Sequence, residues 1–107
     1  MLRQGMDNIR QLMASNRDAI EKDQLRSQDY QRLAEAINKH TTHIVKNCKL
    51  PKKSDAAFHT IILADLTQST EIMRASPKYQ AQRAAALGVL QSLRNYGEYF
   101  QHPDWRI

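Results

Sequence analysis

The chain is poor in the residues that staple or interrupt a fold. One cysteine, Cys48, cannot close an internal disulfide, so cysteine usage leaves the redox compartment open. Three glycines and three prolines leave few forced turns, and one tryptophan, four tyrosines and two phenylalanines provide few large rings. No segment alternates Val, Ile or Tyr as a half-buried strand does, which argues against a sheet. No apolar run is long enough to cross a bilayer. The opening Met1 to Met13 is broken by Arg3, Gln4, Asp7, Asn8 and Arg10, so it is not a secretory apolar core. The expectation is a cytoplasmic protein, or one whose leader precedes this sequence.

Catalytic signatures are missing too. At 107 residues the chain is sized for one domain with one core, too small for a cleft between domains. It carries no nucleophile elbow, phosphate loop, paired His-Glu metal motif or triad, so no enzyme is expected.

What the chain does have is helix-forming composition, rich in Ala, Gln, Arg, Leu and Lys. Apolar residues recur at spacings of three and four. Met6, Ile9, Met13 and Ile20 mark a first helix over about 5–22, with Asn16 in the remaining place on the stripe as a polar group that needs a partner. Ser27 and Asp29 suit the start of a second helix, which carries Tyr30, Leu33, Ile37, His40 and Ile44 before Leu50-Pro51 stops it. Ser54 and Asp55 suit a third, carrying His59, Ile62, Leu66, Ser69 and Met73 to about Ala75. Ser76-Pro77 reads as an N-cap followed by proline at the first helical position. The fourth helix then runs through Tyr79, Ala86, Leu90, Leu93 and Gly97 to Phe100. The tail QHPDWRI is expected to fold back and cover one end with Trp105.

Short connections force neighbouring helices to be antiparallel, so the expected fold is all-α: a single-domain, antiparallel, up-down-up-down four-helix bundle over residues 1–107. That topology gathers Met6, His43, Cys48, His59 and His102 at one end. At ~1.5 Å of rise per residue, His43 and His59 fall at similar depth from the rim, while His40 lies a turn deeper. Imidazole nitrogen with cysteine or methionine sulfur is a ligand set for copper or zinc, so His43, Cys48 and His59 are the expected metal ligands. The competing reading makes the histidines hydrogen-bonded packing residues, with Thr41, Thr42 and Thr60 as partners, and Cys48 a small buried group.

The formal charge is +5, with acids and bases mostly interspersed. Lys46, Lys49, Lys52 and Lys53 are the exception. They sit where a helix ends and its exposed carbonyls favour cations, and no aromatic platform is interleaved with them, so nucleic acid is not the expected partner. Leu12 and Leu87, off the main stripes of helices one and four, leave room for a symmetric dimer.

Two stretches carry resemblances. GMDNIRQLMASNRDAIEK and LQSLRNYGEYF resemble the first and last helices of the soluble periplasmic b-type cytochromes, a four-helix-bundle family. That resemblance implies haem b held by a methionine of the first helix and a histidine near the end of the last. Met6 falls on the methionine; RNYGEYF has Gly97 or Glu98 where the histidine is expected, and His102 follows a turn later. With no CxxCH, covalent haem attachment is excluded. IVKNCKLPKKSDAAFHTIILADL resembles small proteobacterial exported helical proteins to which no activity is attached, and implies a periplasmic location. The sequence thus leads to a non-enzymatic periplasmic bundle that binds a metal ion or haem, in metal handling or electron transfer. The alternative is a cofactor-free structural or protein-interaction bundle.

Overall fold

Apolar residues at helical spacing are buried where the sequence places them. The computed structural model describes residues 2–47 and 58–100 together with His102 and Trp105. Helix α1 spans Leu2–Glu21 and buries Met6, Ile9, Met13 and Ile20 completely. Fully burying a side chain of this size contributes about 1.5 to 3 kcal/mol, so one such stripe outweighs any surface ion pair on the same helix. Asn16 finds its partner in its own helix, donating its side-chain amide to the Leu12 carbonyl at 2.8 Å. The helix ends in a Schellman turn: Gln24 N–H reaches the Ala19 carbonyl at 2.8 Å and Asp23 N–H the Ile20 carbonyl at 3.2 Å. Asp23 takes the left-handed conformation, φ 56°, usually left to glycine or asparagine.

Helix α2 spans Ser27–Asn47. Its cap is not Ser27 but Arg26, whose carbonyl accepts from Asp29 and Tyr30, while the Asp29 carboxylate reaches back to accept from the Arg26 N–H at 2.9 Å. Tyr30, Ala34 and Ile37 are fully buried, with Leu33 and Ile44 nearly so. The helix stop at Leu50-Pro51, Cys48 and the Ser54-Asp55 cap all lie outside the described residues.

The third helix is not uniform. Phe58–Leu63 form a π-helical segment that runs directly into helix α3, Ala64–Ala75. The wider turn resets the face so that Phe58, Ile62, Leu66, Thr70 and Met73 are buried. Ser76 ends α3, and its hydroxyl accepts the Lys78 N–H at 3.2 Å, as a cap should. Pro77 and Lys78 nevertheless precede helix α4, Tyr79–Tyr99, which starts two residues later than Pro77 suggested. Its buried face holds Ala85, Ala86, Val89, Leu90, Leu93 and Tyr96.

Contacts fix the directions. Gly5, near the start of α1, lies against Ile44 near the end of α2. Arg83, near the start of α4, donates to the Ile20 and Glu21 carbonyls at the end of α1, both at 2.9 Å. Phe58 meets Phe100 edge to face, pairing the start of the third helix with the end of the fourth. Neighbours are therefore antiparallel, and the all-α four-helix bundle is the fold. Helices α2 and α4 also touch across the middle, which flattens the bundle to 39 × 26 × 18 Å. No described helix is long and apolar enough to cross a membrane.

Candidate functional site

One end of the bundle gathers the start of α1, the end of α2, the π-helical segment and the end of α4. The first turns of α1 divide that end into two flanks, because successive residues on a helix point about a quarter turn apart. Asp7 faces the end of α4, and Asn8 faces α2.

On the α4 flank His102 and Trp105, the two described residues of the tail, lie against α4. The Trp105 indole donates to the Leu93 carbonyl at 2.9 Å and packs against Tyr96 at 4.6 Å between ring centroids. It lies over Gly97, where a Cβ would overlap the indole, so the glycine in the fourth-helix stripe makes room for the tryptophan. Arg10 sits 5.9 Å above the same ring and holds Asp7 at 3.0 Å. His102 is 5% exposed at its side chain, between the two helices. Its Nδ1 lies 2.8 Å from the Tyr96 hydroxyl and its Nε2 3.7 Å from the Asp7 carboxylate. The neutral tautomer that suits both carries the proton on Nε2 and accepts from Tyr96 at Nδ1.

This placement bears directly on the haem ligands implied by resemblance. Met6 and His102 do share this end, since His102 approaches Asp7, the residue after Met6. Met6, however, is completely buried in the core, and both ring nitrogens of His102 face protein groups. A haem between them would have to displace core packing and free a histidine nitrogen, so the residues as arranged do not fit the group.

On the α2 flank, His43 is exposed and His40 is partly buried. They are one turn apart on the same face and line a surface hollow of about 400 Å³ with Asn8, Lys39, Thr42 and Lys46. Burial, then the ammonium of Lys39 and then His43 lower the proton affinity of His40 from its ordinary value. An imidazole kept neutral retains a nitrogen lone pair for a ligand-binding role. Of the other expected ligands, His59 has its backbone in the π-helical segment, its side chain outside what is described, and Cys48 lies outside the described residues. Among the described residues no group of three or more His, Cys, Asp or Glu side chains converges on one point.

The pairing of His40 with His43 was missed in the sequence, although the signal was there. Two histidines three apart on a helix share a flank whatever the tertiary fold. Weighing them by depth along the bundle, rather than by angle around α2, separated them. A larger hollow on α3, about 660 Å³ and lined by Leu63, Ala64, Thr67, Gln68, Glu71 and Ile72, has a single ionisable side chain, Glu71, already paired with Arg74. It offers little chemistry. Compared with protein-family models, curated proteins and solved structures, the chain matches none of them.

Proposed function

We propose that this chain is a non-enzymatic helical bundle that binds a transition-metal ion, copper or zinc, at the end of α2, with His40 and His43 as its first two ligands. The observation that carries the reading is the shared hollow of these two histidines, one turn apart on one helix. Two imidazoles at that spacing present their rings side by side and suit borderline metals such as Cu(II) and Zn(II). A helix C-terminus adds a partial negative charge that favours a cation nearby. Cys48, one residue beyond the end of α2, and His59 are the further ligands the sequence supplies; with sulfur included, Cu(I) becomes the favoured ion. The role that fits is metal handling, in the periplasm if the resemblance of the middle segment holds.

The test is calorimetric titration of the untagged protein with zinc, and with copper under reducing conditions. A saturable site lost in His40→Ala/His43→Ala, with helicity retained, supports the reading. Equal binding by that variant removes it. A further loss in Cys48→Ala or His59→Ala extends the ligand set to those residues, and no loss there leaves a two-histidine site.

A further inference from the structure

The hollow of His40 is one stretch of a longer groove between α1 and α2. A second hollow, about 220 Å³, lies further along it and is lined by Leu12 and Asn16 of α1, by Leu25, and by Asp29, Arg32 and Leu33 of α2. Asn8, which lines the first hollow, falls four residues before Leu12, and Asn16 four after it, so the three form one ridge of α1. The facing rim, on α2, carries Arg32, Lys39 and Lys46. They recur every seven residues, which sets their cations two turns apart, at ~10.5 Å intervals over about 21 Å of helix. All three side chains are exposed, and none forms an ion pair among the described residues. Asp29, three residues before Arg32, is engaged instead with the Arg26 N–H at 2.9 Å.

A row of cations with that period is one half of a pairing device. Where two helices pack, charges beside an apolar seam recur every seven residues and select a partner helix with the opposite charge at the same interval. An apolar seam is present at the Arg32 end, where Leu12 and Leu25 pack against the core yet stay partly exposed. A nucleic acid carries a phosphate on every nucleotide, and its single strands bind on stacking platforms, whereas these cations stand two turns apart and no described residue lining the groove is aromatic. A second copy is a poor complement too, since each chain carries +5.

We infer that the α1–α2 groove docks an amphipathic helix of a partner protein, one that seats an apolar side chain against Leu12 and Leu25 and presents Asp or Glu every seven residues to Arg32, Lys39 and Lys46. No existing ion pair has to break for these to form. The imidazoles take no part, so the inference does not rest on metal binding.

The probe is a synthetic peptide of about 28 residues, long enough to be helical, with leucine along one ridge and glutamate at every seventh position beside it. A control peptide of the same composition spreads its glutamates around the helix. Each is titrated into the full chain by calorimetry at low ionic strength with a metal chelator present, while NMR follows the methyl signals of Leu12 and Leu25.

The seven-residue peptide is expected to shift both leucine signals and to bind at least about tenfold more tightly than its control. Arg32→Gln/Lys39→Gln/Lys46→Gln, which alters only exposed side chains, should weaken it about tenfold, and raised salt should erode the difference. Arg74→Gln/Lys78→Gln/Arg94→Gln, which removes the same charge away from the groove, should weaken it by less than about twofold. No saturable binding, equal affinity for the two peptides, or equal weakening by the two triple variants overturns the inference. Tighter binding of a single-stranded oligonucleotide, lost in the groove variant, overturns it in favour of a phosphate site. A parent chain that sediments as a dimer, and becomes monomeric in the groove variant, overturns it in favour of self-association.

Discussion

The hydroxyl of Tyr96 lies 2.8 Å from Nδ1 of His102, a contact that joins the tail to the last helix of the bundle beside the Trp105–Leu93 hydrogen bond. Tyr96 is nearly fully buried, so removing its hydroxyl leaves the histidine nitrogen without its partner in a place water reaches poorly. Tyr96→Phe should lower unfolding stability by about 1 to 2 kcal/mol. Urea denaturation measures it, and Tyr96→Phe/His102→Phe should recover part of the loss because both polar ends are then gone. An additive double variant would show that the contact contributes nothing.

The same substitution at Tyr30 should have the opposite sign. Tyr30 is completely buried, and its hydroxyl has no hydrogen-bond partner among the described residues. Tyr30→Phe removes an unsatisfied group and keeps the ring, so it should be neutral or stabilise by up to about 1 kcal/mol. There is a pH signature as well. Burial first, and then Asp23, raise the proton affinity of Tyr30, with Arg83 pulling the other way and Asp29 and Tyr79 adding to the rise. In the unfolded chain it ionises near its ordinary value of about 10. Stability should thus be unaffected by Tyr30 below that pH and fall as pH rises above it, since the unfolded state releases the proton first. Tyr30→Phe should flatten that alkaline decline.

The three glycines separate into different cases. An added Cβ at Gly88 would meet only the Ser69 hydroxyl, at 3.2 Å, a group that can turn aside. Gly88→Ala should therefore gain much of the ~1 kcal/mol that alanine has over glycine inside a helix. At Gly5 the new atom would overlap the Ile44 side chain in the buried contact between α1 and α2. Gly5→Ala should destabilise by about 1 to 3 kcal/mol despite the same propensity gain, and less so in an Ile44→Ala background, where the overlapping Cγ1 and Cδ1 are gone. At Gly97 the overlap is with Trp105, which can leave. There the helix gain and the lost packing oppose each other, so melting should move little while the emission of the only tryptophan shifts to the red.

The bundle was readable because its information is periodic. Met6, Ile9, Met13, Tyr30, Ile37, Ile62, Leu66, Met73, Leu90 and Leu93 lie in the core where their spacing puts them. What escaped the sequence depends on local backbone geometry or on angle. The π-helical turn at Phe58–Leu63 has no composition signal of its own, and the buried face of this helix runs through Phe58 and Thr70, which the expected stripe did not include. Arg26 replaces Ser27 as the cap because Asp29 can satisfy the free N–H from within the first turn. Tyr96 went unremarked because the stripe was traced through Leu93 and Gly97, and Gly97 instead makes room for Trp105. Trp105 was expected to cover an end; it lies instead along the side of α4, on Leu93, Tyr96 and Gly97, since a lone large ring gains from the nearest apolar surface.

The partly buried His40 gives the most direct reading of the charge in the α2 hollow. Its proton affinity is lowered by burial, by Lys39 and by His43, in that order. An NMR titration of the ring protons should place its midpoint below the ordinary histidine value of about 6.5. The sign for stability follows from the unfolded chain, which takes up this proton more readily than the folded one. Stability should rise with pH between the lowered folded value and about 6.5, and the contribution is lost as pH falls through that window. Lys39→Gln removes one of the three causes, so the His40 midpoint should move up and the window narrow. Added salt should do the same to the Lys39 and His43 contributions and leave the burial contribution in place. A midpoint that ignores both Lys39→Gln and salt would mean that burial alone sets it, and that the ammonium groups around the hollow do not reach the imidazole.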